Sequence, residues 1–211
     1  MYHANSTQPI EMERLTFQTN QSSENNTTAI TIFGYAASAK SNSFNLAPVN
    51  LNLFVKEIDT KALTEFVHAA LTTHQLNQLS ISFIQLISQG IFASLDSLTF
   101  GTEHGPVTVR GMLHLSKTSS NLTSIVTNAE GNAQINMPLP WLKKVLSQIY
   151  QDKKIEIDDE ELTPEQIADQ QIEYWLTNKQ LIQEGQDIQL KIIYNKGRLL
   201  INDLPSASKN P

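Results

Sequence analysis

The sequence predicts an α+β fold in which an antiparallel, strongly twisted β-sheet carries about four helices, mostly on one face. Three observations support this. Apolar and polar residues alternate with period two in several segments, turn residues separate those segments, and amphipathic stretches with helical spacing interrupt them. Strands with one apolar face are typical of antiparallel sheets, which bury that face and leave the other in water.

The alternation is clearest in four segments, which begin near residues 49, 107, 133 and 187. Weaker strands are predicted near residues 14–19, 28–38, 95–100 and 198–202. The Gly-rich turn at 101–106 and the Asn-Lys-Gly turn at 195–197 predict hairpins, because Asn and Gly accept the positive φ of tight turns.

Four helices are predicted, at residues 60–72, 76–89, 139–151 and 163–178. Asp59 or Thr60 is the predicted N-cap of the first, and Gly90 ends the second. The fourth opens with a capping box, in which Thr163 caps, Pro164 takes the first turn and Gln166 reaches back to the cap.

The predicted organisation is a single α+β domain over residues 26–205, with two sheet-sharing halves (26–116 and 131–205) as the alternative. The polar segments 1–25 and 206–211 are predicted to be poorly ordered. The Ser/Thr/Asn-rich stretch 117–130 is predicted to be the main internal loop.

Charge and composition exclude several classes of protein. A net charge of −6 and scattered Lys and Arg argue against a nucleic-acid partner. There is no cysteine, which excludes disulfides and thiol chemistry. No apolar stretch approaches the roughly 20 residues that a membrane-spanning helix needs. The start at Met1 lacks signal-peptide features, which predicts a cytoplasmic protein if Met1 is the natural start.

No motif for catalysis, for a cofactor or for a metal is present, so none of these is predicted. The acidic run 158–161 lacks the staggered oxygen ligands and the glycine of a cation loop. The histidines also lack metal-ligand spacing; they are His3, His68, His74, His104 and His114. A hydrolase with residues scattered along the chain would need a pocket holding a perturbed histidine or carboxylate.

The remaining candidate site is the apolar face of the sheet. Either the helices cover it, or part of it stays open as a groove for an acyl chain, a peptide or another subunit. The candidate lining residues are Leu51, Leu53, Val107, Val109, Leu113, Ile188, Leu190 and Ile192.

Several segments of the chain resemble the YdgA-like family of bacterial envelope proteins, whose function is unknown. The matching segments are LNLFVKEIDTKAL (51–63), SLDSLTF (94–100), GPVTVRG (105–111), AQINMP (133–138), LTPEQ (162–166) and NKGRLLINDLP (195–205). The family ending usually reads Asn-Gly-x-Pro, so Asp203 departs from it.

The resemblance covers about three quarters of the chain. It implies that the chain is the C-terminal portion of a longer protein. Such proteins have a membrane-anchoring helix followed by a periplasmic body, which implies a periplasmic, inner-membrane-associated location. The strand–helix units also look like parts of the AsmA-like envelope proteins, which are associated with phospholipid handling. That similarity is an analogy of fold.

These observations predict a non-enzymatic envelope module that binds or scaffolds, with a lipid or another apolar ligand on the sheet face. The alternative is a protein–protein interaction domain that pairs a strand edge with an envelope protein or with a second copy of itself.

Overall fold

A computed structural model describes residues 10–40, 45–72, 76–151, 156–157 and 160–205. Within them lie five helices, one more than predicted: α1 (Thr60–Thr72), α2 (Leu76–Ser88), α3 (Leu122–Thr127), α4 (Leu139–Tyr150) and α5 (Pro164–Thr177). The predicted tail at 206–211 lies outside the described residues, as do residues 1–9.

The strands form one large antiparallel sheet and two small ones. The large sheet has the order β15-β14-β13-β9-β8-β7-β6-β3-β2, and β12 also pairs with β13. Its strands are β2 (Thr16–Glu24), β3 (Thr27–Ala36), β6 (Val49–Asp59), β7 (Ile91–Thr102), β8 (Gly105–Leu115), β9 (Ala129–Pro138), β12 (Ile182–Glu184), β13 (Asp187–Asn195), β14 (Arg198–Ile201) and β15 (Leu204–Pro205). The small sheets are formed by β1 (Glu11–Glu13), β4 (Ser38–Lys40) and β5 (Asn45–Leu46), and by β10 (Glu156–Ile157) with β11 (Glu160–Glu161). The predicted α+β class is confirmed.

The helices begin and end where the capping residues predict. The Asp59 carboxylate accepts from the Ala62 N–H at 2.8 Å and caps α1. Gly90, at φ +95°, follows α2. Both hydrogen bonds of the predicted capping box between Thr163 and Gln166 are present at the start of α5.

Two segments differ from the prediction. Residues 11–13 and 16–24 form strands inside the N-terminal segment that was predicted to be poorly ordered, and the weaker strand predicted near residues 14–19 overlaps the first part of the second. The β2–β3 turn explains the second strand, because Asn25 and Asn26 both take positive φ (50° and 63°) and close a two-residue hairpin. The predicted loop at 117–130 contains α3, which Asn121 caps and which Ile125 anchors in the core.

The main core lies between the sheet and the helix pair α4–α5. Val107, Met137, Leu181 and Ile188 form a buried cluster there. Trp141 and Trp175 pack against it. Helix α5 also packs on α4 through fully buried Ala168 and through Ile172.

The C-terminal hairpin is held by one asparagine. Asn202, at φ 48°, accepts from the Lys191 N–H at 2.7 Å and donates to the Gln180 carbonyl at 2.9 Å. Both bonds satisfy backbone groups, so the side chain joins β13 to the chain that enters β12.

Asn202→Ala is expected to lower the free energy of unfolding by about 2 kcal/mol, because it removes two hydrogen bonds to the backbone. Urea denaturation measures this. The matched control is Asn132→Ala, at an exposed position on β9, which is expected to change stability by less than about 0.5 kcal/mol. Equal effects of the two substitutions would contradict the assigned role of Asn202.

Candidate binding site on the apolar sheet face

All eight predicted lining residues lie on one face of the large sheet. Paired residues of neighbouring strands share a face, and residues two apart on one strand do as well. The pairs Leu51↔Leu98, Leu98↔Val109, Val109↔Ile135 and Leu190↔Ile135 connect β6 to β13 across the sheet. We call this side the apolar face.

Burial divides these eight residues into three groups. Val107 and Ile188 are each 1% exposed beneath α4 and α5, so they belong to the core and not to an accessible surface. Leu113 is 43% exposed, although it lies on the same strand and the same face as Val107. The other five are half-buried: Leu51, Leu53, Val109, Leu190 and Ile192. The helices therefore cover one end of the apolar face and leave its middle partly open.

Small residues form the floor of this open part. Four small residues lie on the apolar face of β7, β8 and β9, and each is half-buried: Ala93, Gly111, Gly131 and Ala133. Larger side chains flank them, with Leu53 and Leu95 on one side and Ile192 on the other, and Leu113 lies between Ala93 and Gly131. We call this patch of small residues with its flanking side chains the trough. Sequence reasoning missed it, because alternation shows which face a residue takes and not how the floor is shaped.

The second helix pair lies at the opposite end of the apolar face. The Thr60 hydroxyl at the start of α1 is 3.0 Å from that of Thr28, which is buried on the apolar face. None of the α1 residues is buried, whereas Leu86 and Ser88 near the end of α2 are. The exposed apolar residues of the pair include Val67, Leu71, Leu76, Ile81 and Phe83.

The short helix α3 contacts β13 at the same end of the apolar face as the α1–α2 pair. The Tyr194 hydroxyl donates to the Val126 carbonyl at 2.8 Å, and Val126 itself remains 49% exposed. Asn121 followed by apolar residues at 122, 125 and 126 was the signal that could have predicted this helix.

The opposite face of the sheet carries most of its polar side chains, and two shallow clefts on it are formed by described residues. The first is about 570 Å³ in volume and includes Phe92, Met112 and His114. The ring centroids of Phe92 and His114 are 6.5 Å apart, and the Lys56 ammonium lies 4.7 Å from the Phe92 centroid. The second cleft, at the β2 edge, is about 390 Å³ in volume.

A model of a bacterial protein family of unknown function (DUF945) matches residues 2–207. The chain belongs to this family. Comparisons with curated proteins and with solved structures gave no match. The family match includes both helix pairs, the trough and all eight predicted lining residues. The narrower resemblance to the YdgA-like envelope proteins stays a prediction.

In this family member, one described histidine lies beside a carboxylate, because His104 Nε2 is 3.3 Å from Oε1 of the adjacent Glu103. No group of three or more metal-binding side chains occurs among the residues that the structure describes. His3, His74, Asp158 and Asp159 lie outside those residues. Within the same described ranges, no helix is both long and apolar enough to cross a membrane.

One carboxylate of the β7–β8 turn has a shifted pKa. The Lys144 ammonium on α4 donates a hydrogen bond to Glu103, and this bond together with the Lys144 charge lowers the Glu103 pKa. The ion pair joins the turn to α4, where its neighbour Lys143 pairs instead with Asp169 on α5 at 2.7 Å.

We expect Lys144→Ala to raise the Glu103 pKa toward its ordinary value, as a carboxyl ¹³C NMR titration would show. Since the folded-state pKa is depressed, the stabilisation is present above the unfolded-state pKa and is lost as pH falls through the folded-state pKa. Lys143→Ala is the matched control and should leave the Glu103 pKa unchanged. An unshifted Glu103 pKa in Lys144→Ala would refute this assignment.

Proposed function

We propose that the chain is a non-enzymatic binding module of the bacterial cell envelope, which holds the acyl chain of a lipid in the trough. The observation that carries this proposal is the half-open apolar face between the α1–α2 pair and the α4–α5 pair. The envelope location, on the periplasmic side of the inner membrane, rests on the resemblance to the YdgA-like proteins. The choice of a binder over an enzyme rests on the absence of catalytic motifs from the sequence.

The shape of the trough suits a narrow apolar ligand. Its floor of Ala and Gly carries no bulky side chain except Leu113, while Leu53 and Ile192 provide apolar walls. Each buried methylene of a ligand contributes about 0.8 kcal/mol, so an extended acyl chain gains affinity along its length.

The polarity of the trough also favours an acyl chain over a polar ligand. Its floor and walls offer no charged side chain, and their backbone N–H and C=O groups already pair between β7, β8 and β9. A ligand that needs hydrogen bonds would lose those it makes with water. A hydrocarbon loses none.

The proposal is tested with a variant that places a larger side chain in the trough and leaves the buried core residues unchanged. Ala133→Leu adds bulk to the floor, whereas the control Gln134→Leu makes the neighbouring residue equally large on the polar face of β9. Fluorescence titration with cis-parinaric acid should show binding to the wild type and to Gln134→Leu, and at least tenfold weaker binding to Ala133→Leu. Circular dichroism confirms that both variants are folded.

Two results would contradict the proposal. One is a wild-type protein that does not bind the fatty acid. The other is an Ala133→Leu variant that is folded and binds it as tightly as Gln134→Leu does.

The exposed edge strand β2 supports a second candidate function, which is pairing with a protein strand or with a second copy of this chain. All nine β2 residues are exposed, and among the described residues β3 is the only strand that pairs with it. Glu24 is its single charged residue, and it has no proline. Long, neutral edges of this kind template further strand pairing.

Sedimentation equilibrium tests the self-pairing form of this candidate. Association that rises with concentration should be weakened by Asn20→Lys, which places a charge in the middle of the edge. The control Gln189→Lys, on the interior strand β13, should leave association unchanged. A wild-type protein that stays monomeric at about 100 μM would exclude self-pairing.

A further inference from the structure

The polar face carries a second site at the β2 edge, on the opposite side of the sheet from the trough. Its cleft has a volume of about 390 Å³. The side chains that define it belong to two rows across the sheet. One row is Thr16–Tyr35–Asn50, and the other is Gln18–Phe33–Asn52. We call it the aromatic–amide cleft.

Each row places one aromatic ring between two hydrogen-bonding side chains. Phe33 and Tyr35 are two residues apart on β3 and therefore point to the same side, about 6.6 Å apart along the strand. They are 39% and 43% exposed, so their rings are available to a ligand. Amide or hydroxyl groups flank both rings, from β2 on one side and from β6 on the other.

One of these flanking groups is an acceptor without a donor. The Asn52 Oδ1 atom is buried and, within the described part of the chain, has no hydrogen-bond partner. Burying an unpaired polar atom costs about 1–3 kcal/mol, so an asparagine here is unfavourable for the isolated fold. A hydroxyl donated by a ligand would satisfy it once the Asn52 side chain turns toward the cleft.

The absence of charged side chains from the cleft further limits the kind of ligand that it can bind. Its lining residues include no Asp, Glu, Lys, Arg or His. An ionic ligand would lose its hydration without gaining a counter-charge. The ligand that fits is neutral, has hydroxyl groups that donate and accept at its rim, and has an apolar surface that packs on an aromatic ring.

A hexose ring has these properties, because C–H bonds cover its faces while hydroxyls project from its edge. Its length is comparable with the rise of about 6.6 Å between residues 33 and 35 along β3. We propose that the aromatic–amide cleft binds a neutral oligosaccharide. Phe33 and Tyr35 stack on the sugar faces, and Asn52 accepts from a sugar hydroxyl. This site is independent of the acyl-chain trough.

Saturation-transfer difference NMR tests the proposal with three neutral hexasaccharides: cellohexaose, chitohexaose and maltohexaose. At least one should receive saturation from the wild-type protein. Tyr35→Ala should weaken its binding at least tenfold. The matched control Tyr174→Ala removes a tyrosine that is 56% exposed on α5, and it should bind as the wild type does.

Asn52→Leu separates a binding role from a structural one. Because it removes an unpaired buried acceptor, it should keep or raise the melting temperature while it weakens sugar binding at least fivefold. The proposal is overturned if none of the three sugars receives saturation, or if Tyr35→Ala and Tyr174→Ala bind equally. It is also overturned if Asn52→Leu binds sugar as well as the wild type does.

Discussion

Ile188→Ala is expected to lower the free energy of unfolding by about 2–5 kcal/mol, the range for removing a fully buried Ile side chain. Ile188 is 1% exposed and lies in the cluster with Val107 and Met137. The cavity would open under α4 and α5, which are the elements that seal this end of the apolar face. Urea denaturation followed by circular dichroism measures the change.

The matched control for this prediction is Ile182→Ala on the neighbouring strand β12. Ile182 is 42% exposed, so its truncation should cost less than about 1 kcal/mol. If Ile188→Ala were as mild as the control, the α4–α5 pair would not seal the core as described.

Gly101→Ala is expected to lower the free energy of unfolding by about 2–4 kcal/mol, because the added methyl group would collide with backbone. A Cβ atom on Gly101 would lie 2.1 Å from the Ala47 carbonyl oxygen. Backbone hydrogen bonds join the two segments there, from the Ala47 N–H to the Gly101 carbonyl and from the Gly101 N–H to the Pro48 carbonyl. Relief of the collision would separate these groups.

Gly197→Ala is the matched control. It makes the same substitution at a position where no atom would lie within 4 Å of the added Cβ atom. Its cost comes only from the positive φ of 84° and should be about 1–2 kcal/mol. Thermal and urea denaturation of both variants give the comparison. A Gly101→Ala protein at least as stable as Gly197→Ala would contradict the contact with residue 47.

Local signals predicted most of the elements. The capping box at Thr163 and the alternation through β6, β8, β9 and β13 depend on neighbouring residues, so the sequence alone contains them. Strand β2 was predicted only in part, near residues 14–19, because both of its faces are exposed and burial imposes no alternation on it. Helix α3 escaped because its six residues lie among Ser, Thr and Asn, which favour loops.

The candidate site was predictable only in part. Alternation places Val107 and Leu113 on the same face of one strand, and the structure agrees. Their exposures, 1% and 43%, differ because α4 and α5 return over one end of β8 and not over the other. The path of a helix over a sheet depends on contacts between distant segments, and period-two patterning does not encode it. Register shifts, such as that between Leu95 and Leu98, add to this difficulty.

The most direct test of the acyl-chain proposal is organic extraction of the natively folded protein after purification from a bacterial host, followed by mass spectrometry. The proposal predicts about one equivalent of phospholipid or fatty acid per chain, reduced at least tenfold in Ala133→Leu and retained in Gln134→Leu. A wild-type protein that is folded and free of lipid would contradict it and would favour action through the β2 edge.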